Sequence, residues 1–463
     1  MKLKISLALL LAACLASGVR AADPINVRST GATGDGTTKE TVAFQKALTA
    51  CADAGGGDVL VPAGKYLIGS VVMKSKTTLH LDSGAMIQGS PDAADYPIVW
   101  SRFEGHWVPG HQGIINADHA EHIAIVGAGS ISGPTGLARH RAPAVGAAAT
   151  RGSAMQTLGF DPFQPDLVSM VSKPLVGYTG QARAPVLFEP VNCRDVLMDG
   201  ISTHYAGMWS IHLLFCDGFV ARNVTVRSTG SNGDGFDVDS GRDVHIEHCD
   251  IDTGDDCVAV KSGRGMDAVR IARPTQDLYV TDCKLGSGFA GVGVGTELTA
   301  GVLDLFIHHC TFTHGANAIY LKSSTERGGF ITNVSGDDLD CTAPKNFLGI
   351  DLLDKGIADA IGVPGNQGLT LCSNVSFDNV RVNGTGYVLN ATYTSPERPV
   401  DHLTLTHITG TCQHGIVLAN ARNVTLGDIK LTGFAAPLLS TDNVTGSGLD
   451  GAVPIAPPRP PKP

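Results

Sequence analysis

Asp234, Asp255 and Asp256 are the residues of this chain best suited to move protons. They lie in the run NGDGFDVDSGRDVHIEHCDIDTGDDCVAVKSG, from Asn232 to Gly263, which is two units of a repeat. Laying GFDVDSG (235–241) on CVAVKSG (257–263) puts Phe236 on Val258, Val238 on Val260, Ser240 on Ser262 and Gly241 on Gly263. At that offset Asp234 falls on Asp256, so two carboxylates share one place in successive units, with Asp255 beside the second. Three acids this close repel when ionised, so one is expected to keep its proton. A protonated carboxyl beside carboxylates that activate water is what hydrolysis of a glycosidic bond requires. The blander reading is that Asp-Gly pairs make turns, and NGDGFDVDSG also has a calcium-loop composition. The repeat register favours the catalytic reading, in which no metal or other cofactor is needed.

The repeat also says what positions these acids. Units begin near Val196, Phe219, Val244, Leu278 and Leu305, in steps of 23, 25, 34 and 27 residues. That period, with short alternating strands in each unit, predicts an all-β, single-domain right-handed parallel β-helix ahead of a sandwich or propeller. Equivalent residues of successive coils then stack about 4.8 Å apart. Adding GVGVGTE (291–297) and AIYLKSS (318–324) gives inward columns Val258, Val292, Ile319 and Val260, Val294, Leu321. Alternation turns the residues between them outward: Asp237, Ala259, Gly293, Tyr320 in one column and Asp239, Lys261, Gly295, Lys322 in the next. Carboxylates thus lie beside lysines, with glycines opening a recess. Lys322, Lys261, Tyr320, Phe289, Trp209 and Asn232 are the candidate substrate contacts. For three of them a plainer role competes: Trp209 as a core residue, Lys261 as a solvated lysine, and Asn232 as a residue that orients Asp234. His212 is expected to be structural and Glu297 to lie at the cleft rim.

Before the repeat, Val42, Ala43, Ala47, Leu48 and Cys51 have helical spacing, and Gly55–Gly57 ends the helix. Such a short helix ahead of strands at 59–61, 66–68, 71–73 and 79–81 is expected to cap the exposed end of the sheet. Residues 91–192 read as less regular, with loops at 103–107 and 133–184 and a strand pair over 123–131. The insertion 263–276 reads as a projecting loop. The β-helix domain is placed at 22–445, before a proline-rich disordered tail at 446–463. Cys249, Cys283 and Cys310 recur at one offset and are expected to be buried packing residues, whereas Cys341 and Cys372 are better disulfide candidates. No CxxC pair suggests zinc.

The net charge of −10 argues against a nucleic-acid partner. MKLK, the apolar run Ile5–Ala16 and Val19-Arg20-Ala21 read as a signal peptide over 1–21, giving a secreted or periplasmic protein. Leu11-Ala12-Ala13-Cys14 also resembles a lipoprotein box, so a lipid anchor at Cys14 is the alternative. No other membrane contact is expected, and a monomer is.

The Asn-x-Asp-Gly-Phe-Asp of 232–237, followed 21 residues after Asp234 by Gly-Asp-Asp-Cys (254–257), resembles the polygalacturonase family, glycoside hydrolase family 28. So do GATGDGTT…FQKAL…GGGDV.VPAGKYL, Trp209-Ser-Ile-His212 and Lys322…Arg327-Gly328-Gly329, so that the resemblance spans roughly 24–435. It implies a pectin-lyase-like β-helix and hydrolysis of pectic polysaccharide with inversion. Asp255 is then the general acid, and Asp234 and Asp256 hold the water. Two positions depart from the family. Its Gly-His-Gly falls at Gly288-Phe289-Ala290, and its Arg-Ile-Lys at Tyr320-Leu321-Lys322. In the family that Arg and Lys help hold a galacturonate carboxylate on the leaving-group side. Losing a bidentate clamp weakens the case for an acidic sugar there, and a neutral one such as rhamnose could pack on Tyr320 and Phe289. The expectation moves toward rhamnogalacturonan or another branched pectic substrate, with exo action if the long loops wall the cleft. The one-rung spacing of Asp234 and Asp256 sits nearer to a retaining arrangement, and the resemblance is followed in expecting inversion. The alternatives are a calcium-dependent β-helix pectate lyase, which the lack of an arginine in the acidic columns disfavours, and a non-catalytic β-helix carbohydrate-binding or adhesin protein.

Overall fold

The structure, a computed structural model, describes residues 23–135, 137, 174–175, 182–342, 344–354 and 362–455. It is a right-handed parallel β-helix whose coils stack on one continuous apolar core. The predicted unit starts are direct neighbours: Val196 pairs with Phe219, Phe219 with Val244, Val244 with Leu278, and Leu278 with Leu305. Strands are short because each coil must turn. Asp195, Asp243, Asp277, Asp304 and Asn333 take left-handed φ values of 53° to 58° at one repeated corner, a conformation that Asp and Asn tolerate better than other residues with a Cβ. Between corners, alternate side chains enter the core. The columns Val258/Val292/Ile319 and Val260/Val294/Leu321 are all fully buried, and burying each such side chain contributes about 1.5–3 kcal/mol.

The N-terminal helix, Thr41–Asp53, buries Ala43, Phe44, Ala47, Leu48 and Cys51, with Phe44 edge-on to Tyr66 at 5.4 Å. Val42, counted in its apolar face from sequence, is instead 67% exposed and Phe44 takes the inward place. The strands Glu121–Gly127 and Ser130–Ser132 span the expected 123–131 region and extend slightly past both its ends.

Several expectations are corrected. Residues 98–111 are an antiparallel hairpin, Ile98–Phe103 on His106–His111. Glu104 and Gly105 turn it with φ of 46° and 72°, the geometry of a tight hairpin whose twist matches its strands. The insertion 263–276 is not a projecting loop: Gly265–Ile271 is helical, and Arg264 and Ala268 are buried. The stack also runs past 445, since Leu439–Ser447 pairs with Val400–Gly427 and Ser440 pairs with Val453. Cys341 and Cys372 form no disulfide. Cys341 lies in register with Phe312 and Val382, Cys372 with Ile331, so each points into the core from its own column, and all ten described cysteines are free and buried. The signal peptide 1–21, Cys14, most of the 133–184 segment and residues 456–463 lie outside the described residues. Among the described residues no helix is long and apolar enough to cross a membrane.

Candidate active site

Three neighbouring strands carry the site: Phe236–Asp239, Val258–Lys261 and Ala290–Val294, followed by Thr311–Ser324. Their register reproduces the column Asp237, Ala259, Gly293, Tyr320 and sets Asp239 beside Lys261. Asp234 and the Asp255–Asp256 pair occupy the turns just before the first two strands. Those turns approach closely because they lack side chains at the contact. A Cβ on Gly254 would lie 2.2 Å from the Gly230 carbonyl oxygen, and one on Gly288 equally near the Gly254 oxygen. Gly293 opens the recess itself, since its Cβ would lie 2.5 Å from Asp256 Oδ2.

One carboxylate oxygen from each of Asp234, Asp255 and Asp256 lies within 4.8 Å of the other two. Asp234 and Asp256 are each 3% exposed, while Asp255 is half-buried. Lys322 Nζ pairs with Asp256 Oδ2 at 3.0 Å, and Lys261 Nζ lies 3.7 Å from Asp234 Oδ2. The remaining oxygens, Asp234 Oδ1 and Asp256 Oδ1, are buried and accept no hydrogen bond from the protein. Asp255 is held by its backbone: Thr253 Oγ1 donates to its carbonyl at 2.8 Å, as does Ser287 Oγ, while its own Oδ1 accepts the Asp256 N–H at 3.1 Å.

Burial, then the charge of Asp256, raises the Asp255 carboxyl to about 6. Burial, then Asp237, pushes Asp234 well above the usual carboxylate range. The cluster therefore carries a proton at mildly acidic pH. Exposure decides who delivers it. A general acid must reach the leaving oxygen, and Asp255 is the one acid of the three that is not buried. Two of the acids face lysine ammonium groups, which disfavours a divalent cation among them.

The other candidates separate into cleft and core. Phe289 is 37% exposed, stands edge-on to Tyr320 at 5.6 Å, and has the Lys322 ammonium 4.4 Å from its ring centre. Tyr320 Oη donates to Asp351 Oδ2 at 3.5 Å. Lys261 is not a solvated lysine: it is 5% exposed, hydrogen-bonded to Asp237 Oδ1 and set 3.6 Å from the Trp209 ring centre. Burial opposes its charge, but Asp237, Glu297 and Asp234 outweigh that and hold its pKa high. Trp209 is a core residue. It is 2% exposed and stacks on Phe103 at 5.0 Å, so with Lys261 on its other face no ring face is left for a sugar. Asn232 is exposed, and its side chain makes no bond to Asp234 among the described residues. Glu297 is buried rather than at the rim, with Lys261, Arg264 and Lys322 overcoming burial to keep its carboxyl low. His212 is structural as expected, fully buried with Nδ1 2.9 Å from Glu189 Oε1.

The sequence reading missed the wall beside the acids. The hairpin 98–111 lays Phe103 on Trp209, joins Ser101 to Glu189 and brings Arg102 Nε within 3.4 Å of Asp239. Helix 265–271 backs it, with Trp107 Nε1 donating to Asp267 Oδ2 at 2.8 Å. The alternation in IVWSRF and HWVPGH around Glu-Gly was the available signal for this hairpin.

Comparison with known proteins agrees with the geometry. Residues 178–351, which include the three acids, match Glycosyl hydrolases family 28, and residues 24–98 match "Rhamnogalacturonase A/epimerase, pectate lyase-like". The chain is 26% identical over 316 residues to a Vitis vinifera protein named "Probable polygalacturonase", and 28% identical over 334 residues to the exo-poly-alpha-D-galacturonosidase of Dickeya chrysanthemi. Each match covers 66% of this chain, but only 58% and 53% of those relatives' own lengths. The exopolygalacturonase of Thermotoga maritima superposes with a TM-score of 0.73 at 24% identity, over 88% of this chain and 93% of that one. The family 28 exopolygalacturonase of Yersinia enterocolitica gives 0.69 at 20%, over 93% and 79%. The fold, the repeat and the acid cluster agree with the match of residues 178–351 to glycosyl hydrolases family 28.

Proposed function

We propose that the protein hydrolyses glycosidic bonds in a pectic polysaccharide, with Asp255 as general acid and Asp234 and Asp256 holding the attacking water. The observation that carries this reading is the division within the trio. The acid nearest solvent has its carboxyl raised to about 6, while its two buried neighbours each keep one oxygen unclaimed by the protein. Asp256, paired with Lys322, can then take a proton from the water as the bond breaks, while Asp234, whose carboxyl burial pushes up, orients that water.

Stereochemistry needs separate argument. Carboxyl oxygens within 4.8 Å are closer than the roughly 6.5–9.5 Å usual for inverting enzymes. That larger gap accommodates a water between two opposed carboxyls. Here both water-holding acids stand near a lysine, which disperses their charge and makes them poorer nucleophiles. We therefore favour attack by water, with inversion, over a covalent intermediate.

The wall of hairpin 98–111 and helix 265–271 closes the cleft toward the earlier coils. Toward the later coils Phe289 and Tyr393 are exposed. A substrate chain would enter with one end against the wall and be trimmed from that end, an exo mode. The curated Dickeya relative and both cited structural neighbours carry exo-acting names. The same reading places the enzyme outside the cytoplasm, as an exported monomer. Incubation with homogalacturonan, rhamnogalacturonan and xylogalacturonan tests it. Reducing sugar should appear as short products while viscosity falls slowly. Ultraviolet-absorbing unsaturated products, lost with chelator, would instead mean a calcium-dependent lyase.

A further inference from the structure

The cleft changes character on its open side. Phe289 N–H donates to Ser287 Oγ at 2.8 Å, and Ser287 Oγ in turn donates to the Asp255 carbonyl. The Phe289 backbone is thereby tied to that of the acid that would protonate the leaving oxygen. Tyr320 meets it at 65°, so the two rings form an apolar corner. The Lys322 ammonium faces that corner, 4.4 Å from one ring centre and 5.8 Å from the other, but is already paired with Asp256. One rung on, Asp351 lies in register with Lys322 and accepts the Tyr320 hydroxyl, and Asp354 adds a second negative charge near that tyrosine. In the rung after that, Tyr393, in register with Asp351, is 59% exposed.

We propose that Phe289, Tyr320 and Asp351 make the leaving side of the cleft a subsite for an uncharged sugar, so that the bond cut has a neutral residue, not a uronate, as its leaving group. A pyranose presents C–H groups on one face, and aromatic corners bind such faces well while offering nothing to a carboxylate. A uronate there would find the nearby ammonium already taken by Asp256. The substrate class is therefore a pectic chain in which galacturonate is joined to a neutral sugar, as in rhamnogalacturonan, rather than homogalacturonan. The inference rests on the hydrolytic reading above, yet it fails separately from it.

The experiment compares kcat/KM for two oligosaccharides of equal length. One has galacturonate at every position, and the other has rhamnose on the leaving side of the scissile bond. The wild type should prefer the second by about tenfold or more, the range expected when a pocket mismatches one group. Phe289→Ala should lower kcat/KM on the second substrate about tenfold more than on the first, and Tyr320→Arg should raise the first relative to the second. Equal or faster cleavage of the all-galacturonate substrate by the wild type overturns the subsite whatever the variants do. If neither substrate is cleaved, and none of the three polymers above is either, the hydrolytic reading fails first and takes this inference with it. A variant that fails to melt cooperatively is set aside, and the wild-type ratio alone then decides.

Discussion

Replacing Asp255 by Asn should separate catalysis from stability in opposite directions. The substitution keeps shape and removes the proton. General acids contribute about 10²–10⁴-fold, so kcat/KM on a pectic polymer should fall by that factor. With the Asp255 carboxyl at about 6, about nine-tenths of the wild-type enzyme has the acid protonated at pH 5 and about one-tenth at pH 7. Wild-type kcat/KM should therefore drop about tenfold between those values, and D255N should lose that limb. An aryl glycoside whose leaving group needs no proton should recover most of the lost rate. Stability should move the other way. A carboxyl whose folded pKa lies above its unfolded one binds its proton more tightly when folded, so its contribution is present at low pH and is lost as pH rises through about 6. The rise from 3.8 to about 6 corresponds to about 3 kcal/mol. Solvent reaches this half-buried group, so about 1–2 kcal/mol remains after screening. Thermal melts should show D255N more stable than wild type at pH 7 and nearly equal at pH 4. A variant with full activity, or one that keeps the limb near pH 6, would refute the assignment of Asp255.

Three further outcomes follow from the surrounding geometry. Gly293→Ala puts a methyl 2.5 Å from Asp256 Oδ2. It should cut kcat/KM by about 10²-fold while circular dichroism stays native, and unchanged activity would show that the recess can give way. Lys261→Met leaves Asp237 and Asp234 without their buried cation, which should cost about 3–5 kcal/mol in chemical denaturation at pH 7. The cost should be smaller at pH 4, where both raised carboxyls are protonated, and a loss independent of pH would contradict the ion-pair account. Trp107→Ala removes the Nε1 bond to Asp267 that ties hairpin to helix, so viscosity should fall faster per reducing end released. An unchanged ratio would detach exo action from this wall.

The core of the fold was legible because a solenoid writes its contacts at fixed sequence offsets. Phe236 against Val258 and Val260 against Val294 follow from the repeat alone. The acid trio was legible for the same reason, since one rung of displacement turns Asp234 and Asp256 into neighbours. What the repeat does not encode was misread. Residues 98–111 pair with themselves, antiparallel, and their place over Trp209 depends on long-range packing. Without that cover, Trp209 and Lys261 look like outward-facing groups free to meet substrate. With it they are sealed, and Lys261 changes from a substrate contact to the cation that balances Asp237 and Asp234. Glu297 changes in the same way, from rim to buried counter-ion. Phe289 stays exposed beside the acids, while Tyr320 is partly buried against it and Asp351. The cysteines were half legible: the shared offset of Cys249, Cys283 and Cys310 marked a core column, whereas Cys341 and Cys372 gave no such cue and proved equally buried.

Proton NMR of the product in the first minutes of reaction, before mutarotation, tests the central claim most directly. If two buried carboxylates hold a water while Asp255 protonates the leaving oxygen, each new reducing end should appear with the anomeric configuration opposite to that of the bond cleaved. A reducing end that appears with the original configuration would mean that one of these carboxylates attacks the sugar, contradicting the roles assigned to Asp234 and Asp256.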